Sequence, residues 1–176
     1  MNIDEKEYLI YHEKVYLSDY DIDWETQFID EKNLLQSCFS DVPIEHIGST
    51  AIKGMVAKPI IDIMMGVTSY PPSNEMIKKI DELGYIYLGE ADIVNGRTVF
   101  KKRNTLNYNF YIIKYLGKLW NENILFRDYL REHQDVALEY SKIKQNAIDK
   151  GMDTMSKYYS EKADFISNII KNISIC

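Results

Sequence analysis

A short run of residues in the first third of the chain combines glycine, hydroxyl and carboxylate groups. Gly48, Ser49 and Thr50 are consecutive and are called the hydroxyl turn below, and Asp62 follows within an apolar segment. A glycine lets the backbone pass close to a phosphate, and neighbouring hydroxyl and amide groups can donate hydrogen bonds to it. A carboxylate on a nearby strand can hold a divalent metal against that phosphate. This layout is typical of a nucleotidyl-transfer site, although the hydroxyl turn alone is also compatible with a tight turn or helix cap that binds no ligand.

Asp62 is the one charged residue in its apolar segment, where a lone carboxylate is costly to bury unless another group pairs with it. Strand alternation puts Asp62 and Met64 on the same face. Mg²⁺ prefers several oxygen ligands, which a methionine cannot supply. Two alternatives follow. Asp62 is a catalytic metal ligand that takes a partner carboxylate from elsewhere, such as Glu45 or Glu90, or it is a structural aspartate bonded to backbone amides or to Lys58.

A later segment alternates amides with aromatic and aliphatic residues. In a strand, Asn107, Asn109 and Tyr111 would point to one face. These side chains could line the same pocket as Asp62. They could equally lie on a half-exposed sheet face in contact with water.

Several basic residues are candidates for contact with a phosphate. Arg127 and Arg131 lie one helical turn apart, and two guanidinium groups at that spacing suit a phosphate. Such pairs more often form salt bridges with neighbours such as Asp128. Lys58 precedes Asp62 and could offset the same charge. The further candidates are Arg97, Lys101 and Lys102.

Composition limits the class of protein. The chain has 176 residues, of which 45% are hydrophobic and 27% charged, and a net charge of −6. These values predict a single globular domain over residues 1–176. The absence of a basic stripe argues against nucleic acid as a partner, and no apolar run is long enough for a membrane span. Two widely separated cysteines are typical of reduced thiols, so we expect a cytoplasmic protein. The expected partner is a small molecule that contains phosphate, or another protein.

The elements that must position these residues are predicted from apolar spacing and from turn residues. Strands are predicted over 15–17, 59–67, 85–88, 97–102 and 108–114. Helices are predicted from Asp21 or Asp23 to about 39 and over 74–83, 119–131, 136–149 and 154–173. The fold class is therefore α+β, with a mixed sheet flanked by helices and a helical carboxyl-terminal third.

Ordered blocks of residues extend over most of the chain, namely 15–17, 20–24, 44–51, 57–63, 126–131, 140–144 and 162–166. Together they resemble the GrpB family, a branch of the nucleotidyltransferase-fold superfamily. The resemblance implies a nucleotidyltransferase-like sheet, with Gly48 and Ser49 matching the glycine-serine motif and Asp62 matching the first aspartate. GrpB-like domains are also found fused to dephospho-coenzyme A kinases, which suggests a nucleotide or coenzyme A link.

The chain departs from this resemblance at two places. Active members of the superfamily usually carry a second aspartate where this chain has Met64. The family commonly has a histidine pair where this chain has Asn109 and Tyr111, and neither of these is a good general base at neutral pH. Both departures weaken the expectation of metal-dependent catalysis more than they weaken the expected fold.

Two functions are expected. In the first, the protein binds a nucleotide or related phosphate ligand, with Asp62 holding Mg²⁺. If it is an enzyme, the reaction is transfer of a nucleotidyl group to a small acceptor. In the second, the same fold is a catalytically degenerate module that binds a metabolite or a protein, which Met64 and the missing histidine pair favour. The residues expected to bind the ligand are Gly48, Ser49, Thr50, Lys58, Asn109, Tyr111, Arg127 and Arg131.

Overall fold

The structure is a computed structural model that describes residues 6–89 and 96–173. Cys176 and Glu90, the latter considered above as a second carboxylate, lie outside these ranges. The α-helices are α1 (Asp23–Cys38), α2 (Asn74–Glu82), α3 (Lys118–Glu132), α4 (Gln134–Asp149) and α5 (Met155–Ile173). The strands are β1 (Ile44–Ile47), β2 (Ile61–Val67), β3 (Ile86–Tyr87), β4 (Arg97–Arg103) and β5 (Asn107–Lys114).

The strands form one mixed sheet in the order β1-β2-β5-β4-β3. β2 and β5 are parallel, and the other neighbouring strands are antiparallel. A parallel pair needs a long crossover, which α2, β3 and β4 provide here. Asp62 lies opposite Asn109 in the register of the parallel pair. The two strands that carry candidate site residues are therefore neighbours.

One face of the sheet packs against α1 and α2 in an apolar core. Ile63, Met65 and Phe110 are completely buried there, and Trp24 of α1 and Ile80 of α2 belong to the same cluster. Burying each of these side chains stabilises the fold by roughly 1.5–3 kcal/mol. The opposite pleat of β2 then directs Asp62 and Met64 away from this core.

The other face of the sheet is covered by the three carboxyl-terminal helices. Met64 of β2 packs there with Ile47 of β1, Ile113 of β5 and Trp120 of α3. Helices α4 and α5 are joined by Tyr140 and Phe165, whose rings stack with centroids 5.1 Å apart. None of the helices in the described ranges combines the length and apolar composition that a membrane crossing requires.

The predicted fold class is confirmed, since the sheet is mixed and the last third of the described chain is helical. The predicted strand over 15–17 is wrong. Lys14 forms an isolated bridge with Thr154, and Ser18 forms another with Ala57. The segment pairs with two different parts of the chain and therefore builds no ladder.

The strand β1 was not predicted from the sequence. It has four residues between Pro43 and Gly48, too few for a periodic pattern to stand out. Its importance is positional, because it pairs with β2 and leads directly into the hydroxyl turn.

Candidate functional site

A cavity of about 1130 Å³ lies between the sheet and the carboxyl-terminal helices. Asp62, Tyr111 and the hydroxyl turn line one side, and Tyr159 and Lys162 of α5 line the other. Most ligand pockets measure about 300–1,000 Å³, so this slightly larger cavity has room for a small molecule. Much of the remaining wall is apolar and includes Ile47, Ile52, Ile60, Met64, Ile113, Leu119, Phe126, Ile166 and Ile170.

Position 48 requires a glycine, because the backbone there lies very close to the Asp62 side chain. Its φ of 72° and ψ of −174° fall in a region that is essentially restricted to glycine. A Cβ at this position would lie 2.5 Å from Asp62 Oδ2. The sequence predicted a glycine that lets the backbone approach a phosphate, and in the structure the group that it approaches is the Asp62 carboxylate.

Donors from the neighbouring strand fix the Asp62 carboxylate. Asn109 Nδ2 donates a hydrogen bond to Asp62 Oδ1 at 2.7 Å, and the Tyr111 hydroxyl donates to the same oxygen at 3.3 Å. Asn109 is completely buried, and Tyr111 lines the cavity. Of the two alternatives for this strand, pocket lining holds for Tyr111 alone, whereas Asn109 bonds Asp62 without lining the cavity. Neither Asn107 nor Asn109 is among the described residues that line the cavity, so the prediction that they would line it is not met.

Asn109 is itself oriented by a partly buried ion pair. Arg103 Nη2 donates to Asn109 Oδ1 at 2.8 Å, which leaves the amide nitrogen directed at Asp62. Arg103 also pairs with Glu13 at 2.5 Å. Burial alone would raise the pKa of Glu13, but Arg103 and Lys101 outweigh it, so the net pKa is lowered. This chain of contacts makes Asn109 a rigid donor to Asp62.

Lys58 lies on the cavity wall and forms an ion pair with Asp62, but its ammonium group makes no hydrogen bond to the described residues. Lys58 Nζ is 3.6 Å from Asp62 Oδ1, and it is the one buried side-chain nitrogen or oxygen of the described residues without a hydrogen-bond partner. Burial acts to lower the pKa of Lys58, but the charges of Asp62 and Tyr159 outweigh it and the net pKa is raised. Lys58 therefore stays protonated while its donors remain unused.

The hydroxyl groups of the hydroxyl turn contact buried basic residues. Lys144 Nζ donates to Ser49 Oγ at 3.0 Å, and burial lowers the pKa of Lys144 to about 7. His46 Nε2 lies 3.0 Å from Thr50 Oγ1, and burial lowers the pKa of His46 to about 4. His46 therefore orients the hydroxyl turn and is neutral at pH 7.

Two lysines that the sequence analysis missed belong to this region. Lys144 is almost completely buried, with Nζ 4.9 Å from the centre of the Tyr140 ring. Lys162 lines the cavity, with Nζ 4.6 Å and 4.5 Å from the ring centres of Tyr158 and Tyr159. In both helices, the lysine lies four residues after a buried tyrosine. This spacing places both on one face and could have indicated a buried lysine.

Of the other predicted cations, all except Arg97 lie outside the cavity wall. Arg127 Nη1 bonds Glu45 at 2.6 Å and the His46 carbonyl at 3.1 Å, which ties α3 to β1. Arg131 Nε donates to the Ala51 carbonyl at 3.0 Å. The structure therefore does not bring either guanidinium group to Asp62. Lys101 and Lys102 pair with Glu13 and Glu31, whereas Arg97 does line the cavity.

The described residues do not fit a Mg²⁺ site held by the protein. Within residues 6–89 and 96–173, no three carboxylate, histidine or cysteine side chains come together as a ligand set. Asp62 Oδ1 already accepts two hydrogen bonds and has the Lys58 ammonium beside it. Glu45, the second carboxylate suggested by the sequence, is bonded to Arg127. A divalent ion at Asp62 would have to bind next to another positive charge.

Residues 14–172 match the sequence profile of a family described as GrpB protein. The chain is 37% identical over 161 residues to the glutamate-rich protein GrpB of Alkalihalophilus pseudofirmus, an alignment that spans 85% of this chain and 90% of that one. It is 30% identical over 168 residues to the UPF0157 protein YqkA of Bacillus subtilis, spanning 94% of this chain and 46% of YqkA.

Among solved structures, the crystal structure of the conserved protein GrpB from Enterococcus faecalis superposes with a TM-score of 0.79. The sequences are 28% identical, and the match covers 89% of this chain and 96% of that one. Fold and cavity thus define a small α+β protein with a ligand-sized cavity between its sheet and its carboxyl-terminal helices. The chain belongs to the GrpB family.

Proposed function

We propose that this chain binds a phosphate-containing small molecule, a nucleotide or a related compound, in the cavity beside Asp62. The observation that carries the proposal is the charge of the wall. The chain has a net charge of −6, yet the basic residues on the wall outnumber the acidic ones. The basic residues are Lys58, Arg97, Lys162 and Lys171, and the acidic ones are Asp62 and Glu122. A concave site with an excess of positive charge attracts anions.

The apolar part of the wall suggests where the rest of the ligand lies. Aliphatic side chains of the sheet and aromatic rings of the helices face the same space as the lysines, among them Met64, Ile113 and Phe126. A nucleotide has a charged end and a flat, weakly polar base, so it matches a cavity with both kinds of surface.

Binding is proposed ahead of nucleotidyl transfer because of what surrounds Asp62. Two-metal phosphoryl transfer uses several carboxylates around its ions. Here Met64 is completely buried in an apolar cluster at the position of a second acid. Asp62 is paired with donors and with Lys58 instead. The geometry thus favours the second of the two functions expected from the sequence, a metabolite-binding module.

Thermal unfolding with a panel of nucleoside monophosphates, nucleoside triphosphates and coenzyme A precursors tests this proposal. A ligand at a hundred times its Kd should raise the free energy of unfolding by about 2.7 kcal/mol. The effect should be much reduced in Lys162→Met and retained in Lys157→Met, since Lys157 is an exposed lysine on the same helix that is absent from the cavity wall.

If no compound of the panel stabilises the wild type, the proposal is refuted, and a protein partner becomes the better explanation of the fold. The transfer alternative is tested with labelled nucleoside triphosphates and MgCl₂. Label transferred by the wild type but not by Asp62→Asn would show that the protein is an enzyme.

A further inference from the structure

An ammonium group, rather than further carboxylates, lies next to Asp62. Lys58 Nζ is 3.6 Å from Asp62 Oδ1, and only 6% of the residue's surface is exposed. A lysine ammonium carries three hydrogen-bond donors, and burying them unpaired is unfavourable. No group within residues 6–89 and 96–173 accepts a hydrogen bond from them. A ligand oxygen in the cavity would supply the missing acceptor.

A second cation faces the same space from the opposite side. Lys162 projects from α5 and lines the cavity together with Lys58 and Asp62. Its ammonium lies against the rings of Tyr158 and Tyr159, which hold a cation without neutralising it. A phosphate group carries more than one negative charge near pH 7, and two lysines can balance it.

We infer that Lys58 takes the place of a metal ion: the ligand phosphate binds to its ammonium beside Asp62, Lys162 is the second cation, and binding needs no divalent ion. The inference rests on the proposed function. Asp62 acts in it as a positioning residue, because its charge holds Lys58 in place. The residues around Asp62 then do not form a Mg²⁺ site because the position next to the carboxylate is already filled by the Lys58 ammonium.

The first test is titration calorimetry of the wild-type protein with inorganic pyrophosphate, once in excess EDTA and once in excess MgCl₂. We expect binding in EDTA that is at least as tight as in MgCl₂, because Mg²⁺ competes for the pyrophosphate. Binding in MgCl₂ alone would overturn the inference and leave the proposed function standing. Failure to bind in either condition would also overturn it, and the proposed function would then be judged by the nucleotide panel.

The second test compares two buried lysines. Lys58 and Lys101 are each 6% exposed, but Lys101 is paired with Glu13 and does not line the cavity. In EDTA, we expect Lys58→Met to weaken pyrophosphate binding by about tenfold or more, and folded Lys101→Met to bind like the wild type. Unchanged affinity in Lys58→Met would refute the assignment. If Lys58→Met does not fold, Lys58→Gln replaces it, and the wild-type titration remains decisive.

Discussion

The Asp62 carboxylate meets different partners at its two oxygens. Oδ1 accepts from Asn109 and Tyr111, and Oδ2 lies above Gly48. The carboxylate is therefore held by groups from a neighbouring strand and by the shape of the hydroxyl turn. Each of these contacts needs the particular side chain, or the lack of one, at its position. Single substitutions here should therefore have clear effects on stability.

Gly48→Ala should destabilise the protein more than Gly54→Ala. Both glycines have positive φ, 72° and 79°, so both alanines carry backbone strain of about 1 kcal/mol or more. Only at position 48 would the Cβ also collide with Asp62, since nothing lies within 4 Å of a Cβ at position 54. Urea unfolding of the two variants measures the difference. Equal losses would show that the contact with Asp62 does not constrain the hydroxyl turn.

The lowered pKa of His46 in the folded protein should make the protein less stable in mild acid. Burial lowers its pKa from 6.5 to about 4, so between these values the unfolded chain binds a proton that the folded protein does not. The free energy of unfolding should therefore fall as the pH decreases from 6.5 to 4, by about 3 kcal/mol from this residue.

Urea unfolding at several pH values between 4 and 7 checks this prediction. The fall should be smaller in His46→Gln, whose amide can still bond Thr50, and unchanged in His12→Gln, since His12 is exposed. A His46→Gln variant with the pH dependence of the wild type would contradict the assignment.

At the scale of the elements, the ion pair of Arg127 joins the carboxyl-terminal helices to the sheet. Its guanidinium group reaches from α3 to Glu45 and to the His46 carbonyl on β1. The residue is 8% exposed, whereas the Arg131 side chain is 44% exposed. The two arginines are one turn apart and look alike in the sequence, but they differ in what they hold together.

Arg127→Met should lower the free energy of unfolding by about 2 kcal/mol, because it leaves Glu45 and a buried carbonyl without their partner. Arg131→Met should cost less than about 1 kcal/mol, as for most exposed ion pairs. Denaturant unfolding compares the two. Both folded variants should retain the ligand affinity of the wild type, and a loss of affinity in Arg127→Met would support the phosphate-binding role predicted from the sequence.

Considered as a whole, the molecule has two differently built sides. Helices α1 and α2 cover one face of the sheet with a continuous apolar core. On the other face, α5 and its neighbours enclose the cavity, so part of the interior is available to a ligand. A bound ligand should therefore stabilise the helices around the cavity more than the helices on the opposite face.

Hydrogen exchange measured by mass spectrometry should show this asymmetry. Any compound of the panel that binds should slow amide exchange in α5 and in the hydroxyl turn, by up to about a hundredfold at a hundred times its Kd where exchange requires opening of the site. Exchange in α2, which packs beside β3 on the other face, should change least. Equal protection of α2 and α5 would place the ligand elsewhere or indicate global stabilisation alone.

The sequence by itself determined most of the elements and the two faces of β2. Apolar spacing is a local property, so the α-helices were predicted to within about two residues, and the alternation of β2 separated Asp62 and Met64 from Ile63 and Met65. The cost of burying one carboxylate identified Asp62 as a residue that needs partners. The pattern left open whether the polar side chains of the strand around residue 109 face the same pocket as Asp62 or face water.

Only the tertiary structure decided which charged groups meet. Lys144 contacts Ser49, and Arg127 contacts Glu45, across long stretches of chain whose separation in space no local pattern records. The same holds for the ammonium of Lys58, which finds no hydrogen-bond acceptor among the described residues, because that depends on everything packed around it. Secondary structure follows from neighbours in the chain, whereas the electrostatics of a cavity follow from neighbours in space.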